Sequence, residues 1–293
     1  MGDILHTMPA VAALRAAEPQ AELTWILEPK WFPLLECSGL VDHLLPLNRR
    51  DPLSIWTAQR WLERWQPDLA IDFQGLIKSA LVARCSSAPH RLGFADGLRE
   101  EAAGIFYTQR VSSASLHVVE KQCDLIGLAP RPAPLPQGIE DGALPEGRFV
   151  LAAPFAGWAS KQWPIECYVA LSKLLEDRHA TTLVLNVAPH QKTPAGVFRH
   201  ESSIAGLIHA TRRAHAVLGL DSGPLHLAAA LQKPGVALFG PTDPHRNGPY
   251  QAPITVLRQP NAESTYKRAA TIAPSMMALS VNEVYTALTP HLP

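Results

Sequence analysis

The stretch from Ala216 to Pro244 constrains the fold more than any other, because it has the pattern of strand, tight turn, helix and second strand. Ala216–Leu220 is short and apolar, as buried parallel strands are, and Asp221–Gly223 supplies turn and helix-capping residues. Leu225–Leu231 then has a helical composition, and Val236–Phe239 is the next apolar run. The pattern predicts a βαβ unit of a parallel sheet.

The turn of this unit is suited to bind an anion. Free backbone N–H groups and the positive end of the helix dipole point beyond the sheet edge, and phosphate binds at such termini. The alternative is an ordinary crossover with a well-capped helix, and the turn alone does not separate the two. Dinucleotide, P-loop and metal-binding spacings such as H-E-x-x-H are absent from the sequence. We therefore expect helix termini, Lys and Arg, rather than a metal ion, to meet the charge of a bound diphosphate.

Composition narrows the class of protein. The 293 residues include 26 Lys plus Arg and 26 Asp plus Glu, and this zero net charge argues against a general nucleic-acid binder. Only 18% of residues are charged and 47% are hydrophobic, which fits a protein that works on a membrane or an amphiphile. The four dispersed cysteines indicate free thiols in a reducing cytosol. With no apolar run of membrane-spanning length and no charged leader, we expect a cytoplasmic protein.

Strands and helices alternate along the chain, which predicts parallel α/β sheets. A segment rich in Pro and Gly at residues 129–148 is the best linker candidate, and the alternation restarts after it. We therefore predict two Rossmann-like α/β domains, residues 1–135 and 136–279, and a C-terminal helix within 280–293 that packs back on the first domain. Because the chain opens at a Gly2-Asp3 turn, we expect the N-terminal domain to lack its first strand.

Several residues near predicted strand ends are candidates for chemistry. Asp3 and Asp221 both lie in strand-to-helix turns, where doubly wound sheets bind ligands, although a single Asp at a helix start is commonly a cap. Lys161 can reach an anion held at the helix starts, and the alternative is a solvated loop lysine. His226 is expected to pack or to donate a hydrogen bond beside a phosphate rather than to act as a base.

Two groups in the N-terminal half have competing interpretations. Basic residues follow the Asp72–Gly75 turn and can form a rim for an acidic acceptor, although each alone is more often solvated: Lys78, Arg91 and Arg99. Three tryptophans form a stripe on the predicted helix Leu53–Trp65: Trp56, Trp61 and Trp65. Core packing is the favoured interpretation of that stripe, with membrane or ligand contact as the alternative.

Five stretches, in family order over nearly the full chain, resemble the lipopolysaccharide heptosyltransferases of glycosyltransferase family 9. They are Gly2–Pro9 (GDILHTMP), Asp72–Ala80 (DFQGLIKSA), Lys161–Pro164 (KQWP), Asp221–Leu231 (DSGPLHLAAAL) and Gly240–Pro244 (GPTDP). The pair D-x-G-x-x-H-L and G-P-T-D-P is specific to the family, and D-x-Q-G-L-x-K-S-A favours its type I.

The resemblance implies a glycosyltransferase B fold with the active site in a cleft between the two domains. It implies an inverting, metal-independent transfer of L-glycero-D-manno-heptose from ADP-heptose to the Kdo of Kdo2-lipid A, with no cofactor. The partners are then the donor, the acceptor and the inner-membrane surface, without nucleic acid. The implied location is cytoplasmic, peripheral on the inner face of the inner membrane.

The resemblance also assigns roles by position. Asp3 matches the family's general base, which takes the proton from the attacking Kdo hydroxyl. Lys161 matches the residue that neutralises the ADP leaving group. The remaining implied donor-binding residues are Asp221, Ser222, Gly223, Leu225, His226 and Thr242. The implied acceptor-binding residues, for the Kdo carboxylate and lipid A phosphates, are Lys78, Arg91 and Arg99.

Two stretches differ from the family pattern. Ala156–Trp158 stands where relatives carry hydroxyl residues, and Ser202–Ala205 stands where they offer a ribose-binding glutamate. Some nucleotide contacts are therefore expected to be built differently here. Two alternatives remain open: another sugar-nucleotide enzyme of the same fold, such as a non-hydrolysing epimerase, and a non-catalytic relative that binds nucleotide-sugar or lipid.

Overall fold

The computed structural model describes residues 1–48 and 50–292, which form an α/β structure with parallel sheets. The chain forms two compact units. The C-terminal unit consists of Met1–Leu5 and Leu135–Pro293, and the N-terminal unit consists of His6–Pro134. The division after Pro134 lies beside the boundary expected between residues 135 and 136. Met1–Leu5, in contrast, groups with the C-terminal half.

The N-terminal unit alternates short strands with helices. Helix α1 (Gly2–Ala17) begins in the C-terminal unit and continues into this one. The elements that follow are β1 (Thr24–Leu27), β2 (His43–Pro46), α2 (Pro52–Trp65), β3 (Leu69–Ile71), α3 (Ile77–Cys85), β4 (His90–Phe94), β5 (Gln109–Val111) and α4 (Val118–Ile126). Two 3₁₀ helices complete it, Pro29–Leu34 and Glu101–Phe106.

The strands of the N-terminal unit form two parallel sheets rather than one. Strand β1 pairs with β2, and β3, β4 and β5 form a separate three-stranded sheet in that order. Within the described residues, no strand pairs with the second edge of β1 or of β3. The parallel pairing agrees with the predicted α/β class of this domain.

Helix α2 divides the tryptophan stripe into buried and exposed parts. Asp51 caps the helix by accepting a hydrogen bond from the Leu53 N–H at 3.0 Å. Trp61 and Trp65, one turn apart, pack with the core around Leu62, as the sequence predicted. Trp56 instead remains 55% exposed, because residues five positions apart lie on different faces of a helix.

The C-terminal unit contains the larger sheet. Its elements are β6 (Phe149–Ala152), α5 (Ile165–His179), β7 (Thr182–Asn186), β8 (Phe198–His200), α6 (Ile204–Arg213), β9 (Ala216–Leu220), α7 (Gly223–Ala230), β10 (Gly235–Phe239), α8 (Pro244–Asn247), β11 (Ile254–Arg258), α9 (Pro274–Met277) and α10 (Val281–Leu288). Two 3₁₀ helices lie at Ala159–Lys161 and Thr289–His291.

The six strands of this sheet are parallel in the order β11-β10-β9-β6-β7-β8. The chain leaves β6 toward β7 on one side and later returns to β9 on the other, so the strand order reverses between β6 and β9. In open α/β sheets, ligands bind beyond the carboxyl ends of the strands at such a switch point. The loops that follow β6 and β9 carry Lys161 and Asp221.

The C-terminal helix packs against the sheet of the C-terminal unit. Helix α10 begins with the expected capping box, in which Ser280 and Glu283 satisfy each other's backbone N–H groups. Its buried residues Val284 and Leu288 belong to the core of the C-terminal unit, and the helix contacts α5, β10 and β11. Its expected packing back on the N-terminal domain stays a prediction. The apolar stripe of α10 covers the sheet to which it is joined.

The Pro- and Gly-rich segment after Pro134 is attached along helix α6. The Arg212 guanidinium donates to the carbonyls of Leu135 and Pro136 at 2.7 and 3.0 Å. The Asp141 carboxylate accepts a 2.7 Å hydrogen bond from the Ser203 N–H, at the start of α6. Residues 135–141 thus belong to the structure of the C-terminal unit instead of forming a free linker.

Candidate functional site

Lys161 and Asp221 form an ion pair at the switch point of the large sheet. Lys161 Nζ lies 2.6 Å from Asp221 Oδ2, and the two side chains are 15% and 5% exposed. Lys161 ends the 3₁₀ helix after β6, and Asp221 directly follows β9. Lys161 and Asp221 are far apart in the sequence, and the sheet brings their two loops together. Lys161 is therefore not the freely solvated loop lysine that was the alternative.

Asp221 is held in its charged form. Burial on its own raises the pKa of this carboxyl group, but His226 and the Lys161 ammonium outweigh burial, so the pKa lies below its ordinary value. His226 Nε2 is 3.6 Å from Asp221 Oδ1, which is long for a hydrogen bond, so the 2.6 Å contact with Lys161 is the closer of the two. The pair as a unit carries no net charge.

The N-terminus of α7 offers fewer backbone donors than the sequence predicted. Pro224 has no N–H, and the N–H groups of Leu225 and His226 donate to the Ser222 carbonyl at 3.1 and 3.4 Å. Gly223 keeps an N–H for which the described residues provide no acceptor. The Leu225 side chain is buried against Gly219, which assigns this residue to packing.

Two hydroxyl groups near this turn add donors that the backbone lacks. Ser222 is the N-cap of α7 but makes no capping hydrogen bond with its side chain. Thr242, at 1% exposure, follows β10 in the Gly240–Pro244 turn. In the described part of the chain, neither the Ser222 hydroxyl nor the Thr242 hydroxyl has a hydrogen-bond partner, although both are buried. A polar ligand that bound at this turn would find both hydroxyl groups available for hydrogen bonding.

The first turn of α1 lies against the first turn of α7, and this contact places Asp3 beside the candidate site. A Cβ atom on Gly223 would lie 2.8 Å from Met1 Cβ, and one on Gly2 would lie 3.2 Å from His226 Cδ2. A side chain at Gly223 would therefore clash with Met1, whereas one at Gly2 would make a tight contact with the His226 ring. Asp3 follows Gly2 in the first turn of α1 and is exposed.

The Asp72 turn in the N-terminal unit is fixed by a buried hydrogen-bond network. Asp72 Oδ2 accepts from the Tyr107 hydroxyl at 2.7 Å and from the Ser79 hydroxyl at 2.8 Å. Asp72 Oδ1 accepts from the Gln74 N–H at 2.9 Å. Burial, together with the carboxylate of Asp72, raises the pKa of Tyr107. The motif D-x-Q-G therefore sets the position at which α3 starts, and with it the position of Lys78.

The three predicted acceptor residues differ in their surroundings. Lys78 is exposed on α3, and the described residues offer its ammonium group no ion pair. Arg91 donates from Nε to the Phe106 carbonyl and from Nη1 to the Ala88 carbonyl, at 2.8 and 2.7 Å. Arg91 therefore stabilises the backbone around β4 through these hydrogen bonds. Arg99 is exposed and follows the same turn region. Lys78 remains the strongest of the three predictions.

The described residues include neither a metal-binding cluster nor a helix able to span a membrane. They contain no group of three or more His, Cys, Asp or Glu side chains arranged to hold a metal ion. No helix among them combines the length and apolarity needed to cross a bilayer.

The sequence model of glycosyltransferase family 9 (heptosyltransferase) matches residues 55–276. Lipopolysaccharide heptosyltransferase 1 of Pseudomonas aeruginosa is 29% identical over 286 aligned positions, which cover 85% of this chain and 79% of that protein. Lipopolysaccharide heptosyltransferase 1 of Escherichia coli K12 is 28% identical and covers 89% of this chain and 91% of its own length.

Solved structures give the same result for the fold. Escherichia coli heptosyltransferase WaaC with ADP superposes with a TM-score of 0.77 at 25% identity, covering 99% of this chain and 96% of that one. The Escherichia coli ADP-heptose heptosyltransferase II superposes with a TM-score of 0.78 at 21% identity, covering 99% and 95%. The fold and the site thus define a glycosyltransferase with two Rossmann-like units. The chain belongs to glycosyltransferase family 9, the heptosyltransferases.

Proposed function

We propose that this enzyme is a heptosyltransferase of lipopolysaccharide core synthesis that transfers heptose from ADP-heptose to the Kdo of Kdo2-lipid A. Membership of family 9 supports the reaction class. The observation that carries the donor assignment is the buried Lys161–Asp221 pair beside two hydroxyl groups that lack partners within the described residues, Ser222 and Thr242. A diphosphate supplies the oxygen acceptors that these donors lack.

The proposed reaction is a single displacement with inversion. The acceptor hydroxyl oxygen attacks the anomeric carbon of the donor while the bond from that carbon to the diphosphate breaks. Asp3 accepts the hydroxyl proton, and ADP leaves with the bonding electron pair. Lys161, the Gly223 N–H and the Ser222 hydroxyl stabilise the negative charge that develops on the leaving diphosphate. Asp221 keeps the Lys161 ammonium group in place through the 2.6 Å contact.

We further propose that the outer face of α3 rests on an anionic membrane surface, where a lipid-linked acceptor would lie. Ile77 and Leu81 are 42% and 46% exposed one turn apart, and Ile105 on the adjacent 3₁₀ helix is 72% exposed. Lys78 and Arg84, also exposed, flank them on the same helix. Apolar side chains bordered by basic ones match the boundary between acyl chains and anionic headgroups.

The test is product analysis with purified components. The protein is incubated with ADP-heptose, with and without Kdo2-lipid A, and the lipid is examined by mass spectrometry. A gain of one heptose, with ADP released only when the acceptor is present, supports the proposal. Epimerised or free sugar formed without acceptor assigns the chain to a different sugar-nucleotide enzyme. Binding of ADP-heptose with no product of any kind identifies a non-catalytic relative.

A further inference from the structure

The loop that follows β11 is hydrogen-bonded at two points to the loops that carry the candidate donor-site residues. We define the donor loop as residues 259–273. The Thr265 N–H donates to the Pro241 carbonyl at 2.6 Å, which ties the loop to the turn after β10. The Ala273 N–H donates to the Ser160 carbonyl at 3.3 Å, which ties it to the 3₁₀ helix that contains Lys161. The residues between these two points therefore span from one site loop to the other.

Arg268 lies within this span and contacts the aromatic ring of Trp158. Arg268 Cζ is 5.7 Å from the ring centre, and Lys161 Nζ is 4.4 Å from the same centre. Both distances are within the range of cation–π attraction. The Trp158 ring therefore lies beside two cations, Lys161 from the loop after β6 and Arg268 from the donor loop. Unlike Lys161, the exposed Arg268 has neither an ion pair nor a hydrogen bond to its side chain among residues 1–48 and 50–292.

Charge balance at the site distinguishes the two cations. Lys161 can still donate hydrogen bonds to a diphosphate, but Asp221 lies 2.6 Å away, so the pair as a whole adds no net positive charge. The N-terminus of helix α7 adds a partial positive charge. Within the described chain, the Gly223 N–H is the group at this terminus that has no acceptor and can carry that charge to a ligand. Two cations beside one ring also repel each other, and an anion between them relieves that repulsion. Arg268 is the cation whose charge remains uncompensated.

We propose that Arg268, positioned by Trp158, is a further phosphate-binding residue of the donor site. A guanidinium group donates two parallel hydrogen bonds to a phosphate, which suits this role. This inference rests on the proposed function, because it assumes that the site binds a nucleoside diphosphate.

The test compares the binding of ADP and of adenosine by calorimetry in the unmodified protein, R268A and K267A. Lys267 is the neighbouring exposed cation on the same loop, and it contacts no aromatic ring of the described residues, so K267A is the matched control. We expect R268A to weaken ADP binding roughly 10- to 100-fold, the loss typical of a hydrogen bond to a charged group. Adenosine affinity is expected to stay unchanged in R268A. In K267A, the affinities for ADP and for adenosine are both expected to stay unchanged.

A second variant tests the positioning role of the ring. W158F keeps an aromatic face for Arg268, whereas W158A removes it, so ADP affinity is expected to fall in W158A and to be largely retained in W158F. Equal ADP affinity in R268A and the unmodified protein overturns this inference and leaves the proposed function standing. An unmodified protein that binds neither ADP nor ADP-heptose overturns both. Equal loss of ADP and adenosine binding in R268A also overturns the inference, because it shows a structural effect.

Discussion

Asp3 is the residue on which the proposed chemistry most depends. It lies in the first turn of α1, which touches the first turn of α7 through Met1 and Gly2. We expect Asp3→Asn to lower kcat by about 10²- to 10⁴-fold, because the acceptor hydroxyl loses its base while the side chain keeps its size. ADP affinity, measured by calorimetry, is expected to remain within a factor of two or three of the unmodified value, roughly 0.5 kcal/mol.

The control for Asp3 is Asp177→Asn, which alters an exposed carboxylate near the end of α5. Transfer rates of this variant should match the unmodified enzyme. A kcat in Asp3→Asn within tenfold of the unmodified value excludes Asp3 as the base and directs the search to another proton acceptor.

The ion pair between Lys161 and Asp221 gives a second prediction at this scale. Lys161→Met leaves a carboxylate that is 5% exposed without its closest cation, and breaking a buried pair in this way costs about 3–5 kcal/mol. Replacing both residues, in K161M/D221N, removes the unpaired charge as well as the pair. We therefore expect the free energy of unfolding, measured in urea, to be higher in the double variant than in K161M alone. Strictly additive losses contradict a direct coupling between the two side chains.

At the scale of elements, the sequence predicted the central strands of the six-stranded sheet better than its two edge strands. Ala216–Leu220 was predicted with both ends correct, because a parallel strand covered on both faces is a continuous apolar run. No strand was predicted at Gln109–Val111, Phe198–His200 or Ile254–Arg258. All three lie at the edge of a sheet and carry polar or basic residues. Edge strands are half exposed, so their composition resembles that of loops.

The candidate site, too, could be predicted from the sequence only in part. The turns and their chemically capable residues are visible in the motifs, since each motif is local in sequence. The ion pair from Lys161 to Asp221 and the contact from Arg268 to Trp158 join residues far apart in the chain. Such contacts depend on strand order and loop closure, which no local pattern encodes. The loss of N–H donors at Leu225 likewise depends on the conformation of one turn.

The segment after Pro134 yields a prediction for an element that has no regular secondary structure. Gly138 has a φ of +78°, and a Cβ atom there would lie 2.4 Å from the Ala205 carbonyl oxygen of α6. Gly127 has a φ of +68° with open space around the same position. Both changes to alanine introduce left-handed strain of about 1–2 kcal/mol, but only Gly138→Ala adds a backbone clash.

Urea unfolding of the two glycine variants separates strain from packing. We expect Gly138→Ala to lose at least about 1 kcal/mol more than Gly127→Ala, because overpacking against a fixed backbone typically costs 1–3 kcal/mol. Equal losses in the two variants are inconsistent with close packing of this segment on α6.

For the whole molecule, the proposed membrane contact predicts how the enzyme partitions between water and lipid. Replacing Ile77 and Leu81 with serine removes exposed apolar groups but leaves Lys78 and Arg84 in place. We expect I77S/L81S to float with phosphatidylglycerol vesicles at a yield at least about threefold lower than the unmodified protein, since each buried apolar side chain contributes roughly 1–3 kcal/mol. Met277→Ser, which removes an apolar side chain that is 57% exposed in the C-terminal unit, is the control. Unchanged flotation of I77S/L81S contradicts the assigned face.

The pH dependence of global stability follows from groups that the fold keeps neutral. Burial, with the charges of Asp124 and Glu120, raises the pKa of Cys123 to about 12, and burial also raises the pKa of Tyr168. A group whose pKa is higher in the folded state stabilises that state below its unfolded pKa, and this contribution is lost as pH rises toward the folded pKa. Cys123 therefore loses its contribution between about pH 9 and 12, at up to about 1.4 kcal/mol per pH unit.

The measurement is urea unfolding at pH 7 and pH 10.5 for the unmodified protein, Cys123→Ala and Cys85→Ala. Cys85 is exposed, so its removal should leave the alkaline loss of stability unchanged. Cys123→Ala removes a thiol that ionises only on unfolding, and we expect its loss of stability between the two pH values to be smaller by roughly 2 kcal/mol. Any cavity that the alanine leaves lowers stability equally at both pH values and cancels from this difference. The same alkaline loss in Cys123→Ala and Cys85→Ala is incompatible with a buried, neutral Cys123 in the folded state.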